Sequence, residues 1–332
     1  MRVLVIGGAG YIGSHVVLAL KEAGEDVWVL DDLSKGHREA LRRISMEDRL
    51  ITGSMDDEEL VRQIIRDKKI EGVMHFAAKI EVGESMDKPL LYFEHNVSKT
   101  INLLKAMLEE NVKKFIFSSS AAVYGMPQKI PIEEEHPQKP VNVYGETKLM
   151  VERILDWLDR TAGLKYVALR YFNAAGAQPD GLIGEDHHPE THLIPIVLQV
   201  ALGKRDHVKI FGTDYPTPDG TAIRDYIHVM DLASAHILAL ENLLKGGESL
   251  KLNLGNGNGF SVKEVIETAR KITGKEIKAI EWERRKGDPA VLVASSDRAK
   301  EVLGWKPEYP ELPTIVEHAW KWHSNNPDGY SE

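Results

Sequence analysis

Cysteine is missing from all 332 residues, which excludes disulfides, thiolate metal sites and cysteine nucleophiles. The absence fits a reducing compartment, and a cytoplasmic protein is expected. Long apolar runs are missing too: none approaches the ~18 residues of a membrane-spanning helix. The apolar start, Met1 to Ile6, meets Gly7 and Gly8 before a secretory core can form, so it reads as a first strand. Positive charge is scarce. Lys and Arg number 42 against 51 Asp and Glu, a net charge of −9, which argues against a nucleic-acid or anionic-membrane surface. An anionic small ligand would therefore need locally gathered Arg or Lys.

What is present alternates. Strand candidates at Arg2–Gly7, Asp26–Leu30, Arg49–Thr52, Gly72–Phe76, Lys113–Ser118 and Tyr166–Arg170 are separated by helical patterns such as Asp57–Lys68 and Leu90–Glu110. Strand-then-helix repetition with buried-type strands predicts an α/β fold, a doubly wound parallel sheet of Rossmann type. Beyond residue 172 the rhythm changes, with Gly, Pro, Asp and His clustered at 173–192 and 212–220. Residues 1–172 are therefore expected to form a dinucleotide-binding domain. Residues 173–332 would form a smaller α/β lobe, with some segments returning to the first. A ligand should lie between them, at the carboxyl ends of the strands.

Gly8-Ala9-Gly10-Tyr11-Ile12-Gly13 is a G-x-G-x-x-G run, preceded by Gly7, that follows a strand and opens a helix. In that context the glycines permit a tight turn and close approach to a pyrophosphate, which the helix N-terminus attracts. The second strand ends in Asp31-Asp32, where a carboxylate can accept from ribose hydroxyls and repel a 2′-phosphate. NAD is thus favoured over NADP, although Lys35 and Arg38 stand close enough to meet a phosphate.

Tyr144-Gly145-Glu146-Thr147-Lys148 places a phenol and an ammonium on one helix face. A Tyr near its ordinary pKa of ~10 is a poor base at neutral pH, and a neighbouring Lys cation should favour the phenolate. Ser120, just past the strand ending in Ser118, can hydrogen-bond the reacting oxygen.

These blocks, with Ser118–Gly125 (SSSAAVYG) and Tyr171-Phe172-Asn173, resemble the extended short-chain dehydrogenase/reductases. Val82-Gly83-Glu84-Ser85, Arg224–Val229 (RDYIHV) and Arg285-Lys286-Gly287-Asp288 narrow the resemblance to UDP-glucose 4-epimerases, over roughly residues 1 to 310. The resemblance implies a tightly held NAD, a UDP-sugar substrate and inversion at C4 through a 4-keto sugar. In this reading Tyr144 exchanges the proton, Lys148 tunes it and contacts the nicotinamide ribose, and Ser120 positions the hydroxyl. Cofactor contacts would come from Gly7, Gly10, Tyr11, Ile12, Gly13, Asp31, Lys35, Ser54, Met55, Phe76, Ala77, Ala78, Asn96, Ser118 and Tyr171. Toward the substrate, Asn173 would bond the diphosphate or sugar, and Arg224 and Arg285 would hold the diphosphate. Asp288 would take the uridine ribose and Phe211 the uracil. His192 and Leu193 would meet the nucleotide through their backbone, and Leu292 would line the sugar pocket. A homodimer through Leu90–Glu110 and the Tyr144 helix is also implied.

Departures from the family pattern bear on these roles. Ser54 stands where an adenine-binding Asp is usual, with Asp56 nearby. Ile80 stands where some members carry Lys, and His95 where some have Asn. Leu292 is intermediate between an aromatic that excludes N-acetylhexosamines and a small residue that admits them. A nucleotide-sugar 4,6-dehydratase would need an Asp-Glu pair where Ala121-Ala122 stand. A non-catalytic NAD(H) sensor would have no use for Tyr144 and Lys148 in register. His187, His188 and His192 show no metal-ligand spacing, so no metal is expected.

Overall fold

The computed structural model describes residues 1–285 and 287–331. The first half runs β1 (Arg2–Ile6), α1 (Tyr11–Glu22), β2 (Asp26–Asp31), α2 (Arg38–Arg43), β3 (Leu50–Thr52), α3 (Glu58–Lys68) and β4 (Gly72–His75). It continues through α4 (Val82–Asp87), α5 (Pro89–Tyr92), α6 (Lys99–Glu109), β5 (Lys114–Ser118), α7 (Val143–Ala162) and β6 (Lys165–Tyr171). Beyond it come β7 (Asn173–Ala175), α8 (Leu193–Ala201), β8 (Val208–Phe211), β9 (Ile223–Arg224), β10 (Tyr226–His228), α9 (Val229–Leu244) and β11 (Leu250–Leu254). The chain closes with β12 (Phe260–Ser261), α10 (Val262–Thr273), β13 (Ala279–Trp282), β14 (Val291–Leu292), α11 (Asp297–Leu303) and α12 (Leu312–Asn325).

Seven strands pair in the order β11-β6-β5-β4-β1-β2-β3, and every pairing is parallel. The order reverses direction between β1 and β4, the topological switch point where open α/β sheets bind ligands. One face is sealed by an apolar layer that includes Val16, Leu20, Leu232 and Leu240. The other is sealed by Val61, Ile65, Leu103, Met107, Val151 and Leu155. Local chemistry sets the helix ends. Asp57 accepts from Leu60 N at 3.1 Å to start α3, and Ser261 and Glu264 form a reciprocal capping box at α10. Gly163, at φ +68°, closes α7 in the left-handed conformation that glycine adopts freely.

One expectation shifts. Leu90–Glu110 is not one regular helix: a π-helical stretch, Phe93–Ser98, lies between α5 and α6. Its wider turn aims Asn96 inward, where the carboxamide accepts from Lys79 N (2.8 Å) and donates to Lys79 O (3.0 Å). Among the segments beyond residue 172, α9 and β11 pack with the first lobe, with β11 adding the sheet's seventh strand beside β6. Their apolar residues pack on β6 and α1, which is where the pattern of Leu, Ala and Ile along Val229–Leu244 finds its buried surface. The smaller lobe gathers α8, α10 and α12 around Ile194, Leu198, Val265, Ile266 and Ile315.

Candidate active site

At the end of β1 the chain turns through Gly7, whose φ of +79° favours glycine. A β-carbon there would lie 2.6 Å from Ala77 N, and one on Gly13 would lie 2.1 Å from Gly7 O. The loop therefore tolerates no side chains at these points. Gly10 caps α1 without a side chain, leaving the first-turn amides of Tyr11, Ile12 and Gly13 to an anion. Asp31 buttresses the cradle, accepting from Ala9 N and Leu33 N, each at 2.9 Å. Burial pushes its carboxyl up, against those two hydrogen bonds. Ala77 packs against Gly7, and Phe76 lies against His236 with ring centroids 4.8 Å apart.

The adenine end differs from the expected pattern in an instructive way. Ser54 donates to Asp56, and Lys99 pairs with Asp56 at 3.3 Å and donates to Ser54 at 3.3 Å, so the carboxylate absent at Ser54 is supplied two residues on. Met55 is buried beside them. Nδ1 of His95 is buried with no hydrogen-bond partner among the described residues. Lys35 is committed to His188 O (2.7 Å), and Arg38 to Thr52 Oγ1 (2.9 Å). Both side chains remain about half exposed, at 56% and 46%. Asn96 braces the loop carrying Phe76, Ala77 and Ala78 and also donates to Thr147 at 3.2 Å, so its bearing on a cofactor is indirect.

Asn142 starts α7 by accepting from Gly145 N at 2.8 Å, which sets Tyr144 in the first turn and Lys148 one turn on. A β-carbon at Gly145 would come 2.6 Å from Ala122 O, so the helix seats directly on the loop after β5. Lys148 Nζ donates to Ser118 O at 2.8 Å, at the carboxyl end of β5. Ser118 Oγ is hydrogen-bonded to the Tyr171 hydroxyl. Ser120 accepts from Ala122 N and hydrogen-bonds the Tyr144 phenol. The three expected catalytic residues thus meet.

Their electrostatics depart from the expectation that Lys148 would lower Tyr144. Burial pushes the phenol up, with Ser120 pulling the other way. Burial also lowers Lys148 to about 7, despite the Glu152 carboxylate that favours its charge. The ammonium is 5.8 Å from the Tyr144 ring centre. Glu152, one turn beyond Lys148, is itself fully buried and holds Arg170 at 2.9 Å and Ser119 at 2.6 Å.

The second lobe reaches this pocket through Leu292, which, like Phe172, packs against the buried cluster of Ala121, Val123, Tyr124, Ile132 and Leu149. Leu292 lies in register with Arg224 in a short sheet, and Arg224 pairs with Asp288 at 2.5 Å. Arg285 lies over the Phe211 ring at 4.0 Å. The guanidiniums, carboxylate and aromatic expected for a nucleotide diphosphate are therefore neighbours by pairs. Lys286 of the same block lies outside the described residues. Asn173 donates to Asp225 O at 3.1 Å. Asp225 accepts from Asn256 N and Ala294 N, with burial raising its carboxyl to about 6; nothing in the sequence marked this bracket.

The contact expected of His192 is through its backbone, and its side chain is engaged elsewhere. As the N-cap of α8 it turns its imidazole to Glu185 (2.8 Å) and Glu190 (3.1 Å), two buried carboxylates that outcompete the cleft for it. Leu193 follows as the first residue of α8. Burial opposes charge on His192, but the two carboxylates hold it up at about 10. His187 joins them, so Glu185, His187, Glu190 and His192 offer four ligand atoms within 4.8 Å of one another. The absence of metal-ligand spacing in the sequence did not anticipate this cluster, because the Pro-containing turn, not a regular helix, assembles it.

Residues 3–255 match the NAD dependent epimerase/dehydratase family. A UDP-glucose 4-epimerase of Halalkalibacterium halodurans is 58% identical over 331 residues, spanning 100% of this chain and 98% of the relative. The chain belongs to the UDP-glucose 4-epimerases. A crystal structure of a UDP-glucose 4-epimerase superposes with a TM-score of 0.97 at 53% identity, covering all of both chains. The Bifidobacterium longum UDP-glucose 4-epimerase, solved in complex with NAD+ and UDP, superposes at 0.93 with 40% identity, over 99% of this chain and 100% of that one.

Proposed function

We propose that this protein interconverts UDP-galactose and UDP-glucose, with Tyr144 as the proton-transferring group, Lys148 and Ser120 beside it, and NAD retained through turnover. The observation that carries the reading is the meeting of Tyr144, Lys148 and Ser120 at the carboxyl end of β5, with the Arg224–Asp288 pair reached through Leu292. NAD, when bound, supplies the acceptor for the C4 hydride and then its return. The glycine cradle at Gly7, Gly10 and Gly13 fits its pyrophosphate, and Asp31 stands at the ribose end. The Asp31 carboxylate at that end supports NAD over its phosphorylated form.

The residues act as follows. Tyr144 takes the proton of the sugar 4-hydroxyl as the C4 hydride leaves, and returns it after the 4-keto sugar has turned over. Ser120 donates to or accepts from that oxygen. Lys148 provides positive charge at the phenol. Arg224 and Arg285 leave Asp288 and Phe211 to clamp the diphosphate, where guanidinium forks meet phosphate oxygens in pairs. Asp288 then turns to the uridine ribose and Phe211 to the uracil, while Asn173 and the backbone of His192 and Leu193 complete the nucleotide contacts.

The working division is 1–172 for the dinucleotide and 173–332 mainly for the UDP-sugar. We assign the chain to a homodimer, supported by the exposed apolar side chains of Val82, Met86, Leu90 and Trp157 on or near the helices that would pair. Its place is the cytoplasm, supported by the absence of cysteine, and its role galactose metabolism, which follows from the proposed interconversion. None of the described helices is long and apolar enough to cross a membrane.

Purified protein incubated with UDP-galactose and no added cofactor should yield UDP-glucose, read by NMR of the sugar protons. Tyr144→Phe should lose about 10²–10⁴-fold in kcat while keeping its bound NAD. Wild-type turnover by that variant would overturn the assignment of Tyr144.

A further inference from the structure

We propose that Glu185, His187, Glu190 and His192 form a binding site for one divalent transition-metal ion, Zn2+ by preference, that clamps the turn behind the dinucleotide loop. Both imidazoles present Nδ1 to the same two carboxylates. His192 Nδ1 lies 2.8 Å from Glu185 Oε1 and 3.1 Å from Glu190 Oε1, while His187 Nδ1 lies 3.1 Å and 3.8 Å from Glu185 Oε1 and Glu190 Oε2. Ligands at the ~2.0–2.1 Å typical of zinc sit about 3.3–3.4 Å apart around a tetrahedron, so small adjustments bring these four onto one ion.

Charge and burial point the same way. The Glu185 and Glu190 side chains are only 4% and 3% exposed, whereas His187 and His192 are at 20% and 37% and cover them from the solvent side. Two carboxylates and one divalent ion leave the site neutral with both imidazoles uncharged. Without an ion, balancing the carboxylates takes two imidazolium rings with centroids 5.3 Å apart, a pair of like charges. Mixed imidazole and carboxylate ligands suit zinc and its first-row neighbours better than Mg2+ or Ca2+. Four protein ligands fill a tetrahedral shell, which marks a structural site.

What the ion would hold is on the page. His187 packs edge-on against Tyr11 (6.1 Å), whose hydroxyl donates to Gly176 O at 2.7 Å, and Tyr11 belongs to the glycine cradle. Glu185 O accepts from Trp322 of α12 at 2.9 Å, and His192 begins α8. The clamp thus ties the smaller lobe to the dinucleotide loop. This consequence for the cofactor rests on the reading of that loop under the proposed function; ion binding itself does not.

The test uses the full-length protein, purified without a metal-chelate resin and freed of metal with dipicolinate. Co2+ titration should saturate at one equivalent with the intense visible bands of a four-coordinate ion. The displaced Nδ1 protons should be released as Co2+ binds, and one equivalent of Zn2+ should then erase the bands with no further proton release. His187→Ala and His192→Ala, each checked for native fold by circular dichroism, should each weaken Co2+ at least ~100-fold, more than the 10–100-fold typical of losing an outer partner. Should wild-type protein bind no Co2+, or show only weak six-coordinate bands, or should both variants bind as wild type does, the site is a hydrogen-bonded ion-pair cluster and the proposal falls. These readouts need no turnover, so their failure is separate from any failure of the epimerase reading.

Discussion

Glu152→Gln isolates a single charge at the heart of the fold. The amide keeps the volume of the carboxylate, so no cavity opens. What changes is that Arg170, fully buried, loses the only carboxylate it pairs with among the described residues, and an NH2 group now faces its guanidinium. Removing one partner of a buried ion pair costs about 3–5 kcal/mol because the other charge is left stranded. Unfolding entropy of ~2.1 cal/mol/K per residue gives about 0.7 kcal/mol/K for a chain of 332 residues. The melting temperature should therefore fall by about 4–7 °C, read by calorimetry on protein saturated with NAD. The same substitution removes the negative charge that sustains the Lys148 ammonium against burial, so Lys148 should move below its value of about 7. The limb of the rate profile on which activity is lost with rising pH should then shift toward acid. A melting temperature within ~1 °C of wild type, together with an unmoved limb, would refute the claim that Glu152 supports both Arg170 and Lys148.

Three further outcomes are expected. Gly13→Ala places a β-carbon 2.1 Å from a backbone oxygen; at an overpacking cost of about 1–3 kcal/mol the purified variant should lose most of its NAD, and full NAD content would contradict the geometry. Burial lowers His15 and His236 to about 4 and His75 and His228 to about 3, so their stabilising contribution is present above ~6.5 and lost as pH falls through 4 to 3. Burial raises Asp225 and Asp231 to about 6, so theirs is present below ~3.9 and lost as pH rises through 6. The imidazoles outnumber the carboxyls, so acidification from pH 6 toward 4.5 should favour unfolding, read as a falling melting temperature; a flat profile over that range would reject this balance. Leu292→Tyr should lower kcat/KM for UDP-N-acetylgalactosamine relative to UDP-galactose by about 10–200-fold, the range one pocket group can impose, and an unchanged ratio would remove Leu292 from the sugar pocket.

Much of the architecture was legible because its signals are local. Strand ends fell within a residue or so of their expected places, since buried parallel strands read as short apolar runs bounded by Gly and polar residues. The glycine cradle and the Tyr144–Lys148 pair were legible for the same reason: each is one turn of chain with fixed spacing. The π-helical stretch at Phe93–Ser98 was not, because the widened turn is selected by Lys79, 17 residues before Asn96. The lobe to which α9 belongs was equally hidden. Its apolar face satisfies any buried surface, and only packing on α1 and β6 shows which. The Arg224–Asp288 pair joins residues 64 apart, a separation that no periodicity reports.

The reaction centre carries a further consequence of burial. Desolvation drives Tyr144 toward the phenol and Lys148 toward the neutral amine, the two states least suited to proton abstraction. The chain's own residues counter this only in part, through Ser120 on the phenol and Glu152 on the ammonium. Positive charge next to Tyr144 would complete the shift, because in a dry pocket a nearby cation favours the phenolate far more than it does in water. Burial thus favours the neutral form of both Tyr144 and Lys148. In such a pocket, a positively charged group held beside Tyr144, such as an oxidised nicotinamide would supply, would favour the phenolate. The phenol's proton affinity would then follow the redox state of the cofactor, which is the coupling that a reaction alternating oxidation and reduction at one carbon requires.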